Sequence, residues 1–312
     1  MLDNASKAFF HLLARSQSLK TLASRYGMRS PTSFARRFIA GETVEEAIAA
    51  ARGVEAAGLL QTLDYLGESV SSLAEADTAT RDYLRVIDAV ILADIGRNLS
   101  LKLTQLGLDV DRASAVDNLR RILDRAEGFF VRLDMESSQY TETTLAIFET
   151  MWQQNYRNIG VVLQADLRRT EQDVERMNAL GARIRLVKGA YREPAAVAYP
   201  RKAEVDAAYL RLMKRLLSEG TYPAIATHDE TLIDETRRYA VEHHIAADRF
   251  EFQMLYGIRR DLQTALVAEG YRVRVYIPFG RQWFPYFMRR LGERPANVVF
   301  VVRGIMEEKV HK

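Results

Sequence analysis

The sequence predicts an α/β fold, a closed (βα)8 TIM-like barrel with a helical arm in front of it, and three observations carry that expectation. Eight short strand-like runs recur from about residue 60 onward, and helical patterns with apolar residues three and four positions apart separate them. Five of those patterns stop at Gly96, Gly128, Gly181, Gly220 and Gly270, just before the next strand. Strands that alternate with amphipathic helices specify a parallel sheet covered by helices. A glycine at the helix end supplies the left-handed residue through which the chain turns back into the sheet. Eight repeats without any GxGxxG fingerprint favour a closed barrel over an open doubly wound sheet.

Taken in order, residues 1–59 read as helices alone. Thr43 and Glu46 form a capping box at the head of TVEEAIAAARGVEAAG, and Gly58 ends that helix. Its apolar faces are too few to make a core. Residues 1–59 are therefore expected to be an arm packed on the barrel, which takes 60–312 and closes with a short C-terminal tail. The strand-like runs lie at 63–68, 100–106, 129–134, 160–165, 184–188, 224–227, 251–255 and 273–278. Segments such as RDYLRVIDAVILADIG, AVDNLRRILDRAEG, EQDVERMNALG, EVDAAYLRLMKRLLSEG and RRDLQTALVAEG supply the helices between them.

Composition narrows the function classes. With 48% apolar and 27% charged residues over 312 positions, the chain has an ordinary globular balance and enough length to bury a large core. The 44 basic and 41 acidic residues are interspersed, so nucleic-acid binding is not indicated. No apolar run approaches the roughly 18 residues of a spanning helix, and the N-terminus lacks the pattern of a secretory signal. The absence of cysteine removes disulfides, thiol catalysis and cysteine metal sites. A cytoplasmic protein is expected.

In such a barrel the chemistry sits at the C-terminal ends of the strands. Nearly every strand-like run delivers a polar group there: Glu68, Lys102, Asp134, Gln164, Arg185 with Lys188 and the following Tyr191, Thr227 with His228, Gln253, and Tyr276. A charge within an apolar strand is costly unless it is paired or faces a polar cavity, so the set points to one shared site. Singly, each has a structural alternative. Lys102 or Lys188 could bridge to a neighbouring strand, Gln164 could be a satisfied core amide, Asp134 a helix cap and His228 a loop residue. No HExxH or paired-histidine motif accompanies His228, and no metal is expected. Arg289 and Arg290, adjacent after the last run, present two planar donor forks that match a carboxylate. The alternative is a solvated helix face; the strand-end residues favour a site for a small carboxylate.

The strings TLDYLGES, SLKLTQLGL, FVRLDMESS, GVVLQADL, RIRLVKGAYREP, ATHD, FEFQMLYGI, VYIPFG and YFMRRLGERPAN, in that order over about residues 60–300, resemble the proline dehydrogenase family of flavin-dependent enzymes. The resemblance implies a distorted barrel whose eighth helix lies over the active site, and FAD held without a Rossmann motif. It implies that Lys102, Arg289 and Arg290 neutralise the carboxylate of L-proline and that Glu68 pairs with Arg289. Tyr191, Leu255, Tyr276 and Tyr286 would pack around the pyrrolidine ring, and Asp134 would orient Lys102 and its neighbours. On the cofactor side it implies Arg185 toward flavin N5 and Gln164 at the pyrimidine edge. Lys188, Gly189, Ala190, Thr227, His228 and Glu293 would line the ribityl, phosphate and adenosine portions.

The reaction so implied moves a hydride from C5 of proline to flavin N5 and gives Δ1-pyrroline-5-carboxylate, the first step of proline catabolism to glutamate. Electrons would pass to a membrane quinone, which implies peripheral contact at the inner face of the membrane. A separate pyrroline-5-carboxylate dehydrogenase would take the product. One departure is Arg192, which follows GAY where the long bifunctional members usually carry tryptophan; the chain resembles the short, stand-alone bacterial branch. The loop REPAAVAYPRK is expected to cover the outer half of the cofactor. A competing enzyme class is a Schiff-base aldolase or lyase acting through Lys102 or Lys188. A non-enzymatic alternative is a barrel retained for binding, with no turnover.

Overall fold

The computed structural model describes residues 33–293, with side chains as far as Arg290. Eight strands close a parallel barrel in sequence order, with the first paired to the last. They are β1 (Leu60–Tyr65), β2 (Asn98–Leu101), β3 (Phe130–Leu133), β4 (Ile159–Gln164), β5 (Arg183–Val187), β6 (Ala224–Ala226), β7 (Glu251–Leu255) and β8 (Val273–Phe279). Helix α1 (Val44–Ala56) precedes β1. Helices α2 (Leu73–Ala93), α3 (Arg112–Arg125), α4 (Ser138–Gln153), α5 (Thr170–Ala179), α6 (Lys202–Glu219), α7 (Glu230–Glu242), α8 (Arg260–Ala268) and α9 (Trp283–Glu293) follow the successive strands. The predicted barrel is thus present, and so is the capping box of Thr43 and Glu46 at the head of α1.

Strand side chains alternate, and the alternation separates two environments. Leu63, Leu99, Leu101, Val131, Leu133, Val161, Leu163, Ile184, Leu186, Phe252, Val275 and Ile277 form one buried apolar layer with residues of the surrounding helices, including Ile87, Leu119, Phe148, Leu216 and Leu232. The intervening positions carry Asp64, Ser100, Arg132, Arg185, Gln253, Arg274 and Tyr276. Barrel interiors are ordinarily filled by branched apolar residues; here hydrogen-bonded polar side chains take much of that space. Gly160 on β4 makes the room, because a Cβ there would lie 2.6 Å from the Phe130 ring and 3.1 Å from Nη1 of Arg132.

Three details differ from expectation. The first strand runs 60–65 instead of 63–68, and the second ends at Leu101, with a 3-10 turn over Leu103–Leu106. In the second segment the alternation of Leu99, Leu101 and Leu103 runs on past the strand and hid the change from extended chain to turn. Gly128, Gly181 and Gly270 take positive φ as predicted, but Gly96 does not, since Asp94 (φ 51°) turns the chain after α2. Gly220 is extended (φ −82°, ψ 160°). Of the arm at 1–59, a 3-10 turn (Phe34–Arg37) and α1 lie within the described residues; the rest of that expectation, before residue 33, lies outside them.

The helix that follows β8 does not take the flank of the barrel. Helix α1 packs against both β1 and β8, while α9 carries Trp283, Phe284, Phe287 and Met288 into a separate apolar cluster with Phe38, Ile39 and Leu66. Trp283 Nε1 donates to Glu42 (2.9 Å), and Gly280 N donates to Gly41 O (2.9 Å). These contacts fix α9 against the end of β1, where Arg289 meets Glu68.

Candidate active site

At the C-terminal mouth, Lys102 follows β2 and reaches Asp64 on β1, its Nζ 3.4 Å from Oδ1. Both side chains are buried. Burial works against the ammonium, but Asp64, Asp134 and Glu68 outweigh it and hold the Lys102 pKa above its ordinary value. That is the opposite of what a Schiff-base nucleophile needs, because an amine must lose its proton to attack a carbonyl.

Next to this pair lies a group centred on Arg185 of β5. Its Nη1 donates to Asp134 Oδ1 (2.7 Å), Nη2 to Ser100 Oγ (3.1 Å) and Nε to Gln253 Oε1 (2.5 Å). Tyr276 donates its hydroxyl to the other oxygen of Asp134 (2.7 Å), and the Arg185 guanidinium lies 5.3 Å from the centroid of the Tyr276 ring. Asp134 was expected to orient Lys102 and its neighbours; its hydrogen bonds go to Arg185 and Tyr276, its charge also supports the Lys102 ammonium, and the direct partner of Lys102 is Asp64. The cause is the alternation of β1, which places Asp64 inward opposite Ser100 in the β1–β2 register.

Above this layer, Arg289 Nη1 on α9 donates to Glu68 Oε1 at 2.6 Å, as expected. Burial opposes the charge on Arg289, and Glu68 outweighs it. Leu66, Gly67, Glu68, Lys102, Tyr286 and Arg289 line a cleft of about 20 Å³, with Gln282 and Pro285 at its edge. Arg290 lies beside it with its guanidinium 5.3 Å from the centroid of Tyr286. Tyr191 is close enough to feel Arg289, Glu68 and Lys102, and burial pushes its hydroxyl pKa up to about 12, so it remains a neutral donor. Lys102, Arg289, Glu68 and Tyr191 therefore converge on one small space.

The residues expected on the cofactor side form an arc around the same mouth. Gln164, the last residue of β4, donates through Nε2 to Glu136 O (2.9 Å), while its buried Oε1 has no hydrogen-bond partner. Lys188 Nζ is held between Asp206 (2.6 Å) and Asp229 (2.8 Å). Gly189 has φ +118°, and a Cβ on it would meet the Asp166 carboxylate at 2.1 Å, so only glycine fits. Ala190 is exposed. Thr227 Oγ1 accepts from Asp229 N (3.1 Å), and His228 Nε2 accepts from Leu255 N (2.9 Å), which fixes the unprotonated nitrogen of that ring. The expectation for Glu293 lies outside the described side chains. The loop after β5 is pinned at both ends: Glu193 accepts from Ser138 N (2.7 Å) at the head of α4, and Arg168 N donates to Val197 O (2.9 Å).

Sequence reasoning passed over Asp64, Ser100 and Glu136. Asp64 was hidden by the misplaced start of β1, since a strand beginning at 63 puts it at the bottom of the barrel. The alternation Thr62, Asp64 against Leu63, Tyr65 was the available signal. Glu136 lies three residues past β3, where it accepts from Thr104 Oγ1 (2.6 Å), and no pattern announces that contact. Among the described residues no cluster of side chains is suited to hold a metal ion, and no helix is long and apolar enough to cross a membrane.

Fold and site together define a (βα)8 barrel with a small cleft at its mouth, under a helix, into which Lys102 and Arg289 bring positive charge. A family model for proline dehydrogenase matches residues 47–303. Proline dehydrogenase 1 of Bacillus subtilis (strain 168) is 43% identical over 301 residues, which cover 96% of this chain and 98% of the relative. Proline dehydrogenase of Deinococcus radiodurans is 45% identical over 281 residues, 88% of this chain and 91% of that one. Among solved structures, proline utilization A (PutA) from Bdellovibrio bacteriovorus inactivated by N-propargylglycine superimposes with a TM-score of 0.77 at 28% identity. That match covers 83% of this chain and 32% of the PutA chain. The chain belongs to the proline dehydrogenase family.

Proposed function

We propose that this chain oxidises L-proline to Δ1-pyrroline-5-carboxylate with FAD as cofactor and a quinone as electron acceptor, as the first step of proline catabolism. The observation that carries the reading is the convergence of Lys102 and Arg289 on one enclosed cleft beside the Arg185, Asp134 and Tyr276 group. The residues present also suit a flavin. The buried, unpartnered Oε1 of Gln164 is an acceptor matched to a ring N–H, Arg185 offers a fixed guanidinium, and Lys188 and Thr227 supply donors for a phosphate-bearing tail. Gly189 lets the Asp166 carboxylate pack against the backbone, and the exposed Ala190 beside it would face that tail.

When bound, FAD would supply the two-electron chemistry by accepting the hydride from C5. The chain's own part is orientation. Lys102, Arg289 and Arg290 would clamp the substrate carboxylate, which fixes the ring by proximity and alignment. The cleft that Lys102 and Arg289 line would receive the carboxylate, with Glu68 holding the Arg289 guanidinium at its side. Tyr191, Leu255, Tyr276 and Tyr286 would surround the ring and exclude water, and Asp134 would keep Tyr276 and Arg185 in place. We place the enzyme in the cytoplasm, with peripheral contact at the inner face of the membrane where quinone is available. A separate pyrroline-5-carboxylate dehydrogenase would receive the product.

The test compares L-proline with pyrrolidine, which keeps the ring and loses the carboxylate. With a soluble quinone analogue, kcat/KM for pyrrolidine should fall by at least about 100-fold, since desolvated cations would be left unpaired. Equal turnover of the two amines would remove the basis for the clamp.

A further inference from the structure

The barrel floor below the mouth holds an ion network that the proposed reaction does not use. Glu251, on β7, is 1% exposed. It accepts from Arg274 Nε (2.7 Å) and Nη2 (2.9 Å), from the Tyr222 hydroxyl (3.1 Å) and from Nε2 of Gln253. Burial opposes its charge, but the Arg274 guanidinium outweighs this and holds the carboxyl below its ordinary pKa. An ionised carboxylate accepts and cannot donate, so it binds only the NH2 side of the Gln253 amide. The amide oxygen of Gln253 must then point the other way, where it accepts from Nε of Arg185 at 2.5 Å.

We propose that Glu251 is a positioning residue for Arg185, acting from the floor of the barrel through the locked amide of Gln253. Arg185 needs three acceptors to fix its plane: Asp134, Ser100 and Gln253. The first two hold its two terminal nitrogens, and the third sets its rotation about the side-chain axis. Were residue 251 able to donate, the Gln253 amide could reverse and turn its NH2 toward the guanidinium, two donors face to face. Charge balance alone, with Glu251 merely neutralising the buried Arg132 and Arg274, would make no use of the Gln253 contact. The inference rests on the proposed role of Arg185 beside the flavin.

Glu251→Gln and Gln253→Met separate these cases, because Gln253→Met leaves the Glu251 to Arg274 pair intact. Each variant should lower kcat by about 10- to 100-fold, the scale of a misplacement of about 1 Å, with KM for L-proline nearly unchanged. The midpoint potential of the bound flavin, read without turnover, should move to more negative values as the guanidinium turns away. Because Glu251 acts through Gln253, the double variant should be no slower than Gln253→Met alone. Full multiplication of the two losses, or a Glu251→Gln variant that melts earlier with kcat and potential unchanged, would overturn the inference. If Glu251→Gln does not fold, Glu251→Asp retracts the carboxylate from Gln253 while keeping the charge for Arg274. It should show the same loss confined to kcat, and wild-type kcat in Glu251→Asp would count equally against the proposal. Arg185→Met tells the two levels apart: if it leaves kcat and the flavin potential unchanged, the assigned role of Arg185 fails, whereas an effect there with none at 251 or 253 sinks only the present inference.

Discussion

Arg289→Ala raises the KM for L-proline by about 30-fold to several thousandfold, the equivalent of roughly 2–5 kcal/mol for removing one partner of a desolvated charge pair. Arg290→Ala, whose guanidinium lies over Tyr286 beside the cleft, is expected to retain its flavin and to lose most of its proline affinity in the same way. The reason is positional. Arg289 is mostly buried, is held by Glu68 and faces a cleft that also contains Lys102, so its fork of donors has little water to fall back on. Loss of Arg289 also leaves Glu68 next to the substrate carboxylate, which adds repulsion to the missing attraction. Steady-state kinetics over a wide proline range, with flavin content measured by absorbance, check both variants. Proline kinetics like those of the wild type in either one would refute the clamp.

The largest effect on stability is expected at Asp64. Asp64→Ala removes the nearest counter-charge of the buried Lys102 ammonium and leaves it only the more distant Asp134 and Glu68, at a cost of up to about 3–5 kcal/mol. The ordinary outcome for such a pair is that removing both charges is far milder than removing one. Asp64→Ala combined with Lys102→Met should therefore recover most of the lost stability in urea unfolding while failing to bind proline. The split matters because it separates the two tasks of Lys102, which is held by Asp64 as part of the barrel and is offered to the carboxylate as part of the site. Losses that simply add in the double variant would show that the two side chains do not depend on each other.

Much of the fold was legible because the two periodicities are strong. Helical segments with apolar residues three and four apart, ended by Gly128, Gly181 and Gly270, left little freedom in where strands could begin. What was not legible followed from segments whose alternation runs on past the ends of the strands. In LQTLDYLG and NLSLKLTQLG nothing local distinguishes strand from turn, so β1 was displaced and Asp64 was lost from view. The site was legible in part for the same reason that it is unusual: polar residues at alternate strand positions have no place in an ordinary barrel core. Lys102, Asp134 and Arg185 could be found on that ground, and Arg289 as one of two adjacent guanidinium groups after the last strand. Their partners could not all be assigned, because pairing across a closed sheet depends on register. The contact of Asp134, just past β3, with Arg185 on β5 reaches across β4, and no spacing in the sequence encodes it.

The most direct measurement is the absorption spectrum of the purified protein before and after L-proline is added in the absence of oxygen. A yellow protein whose flavin band bleaches on addition of proline, and does not bleach with pyrrolidine at the same concentration, is the predicted result. A colourless protein, or a bound flavin whose spectrum proline leaves unchanged, would contradict the assignment of this mouth to a flavin and an amino acid held side by side.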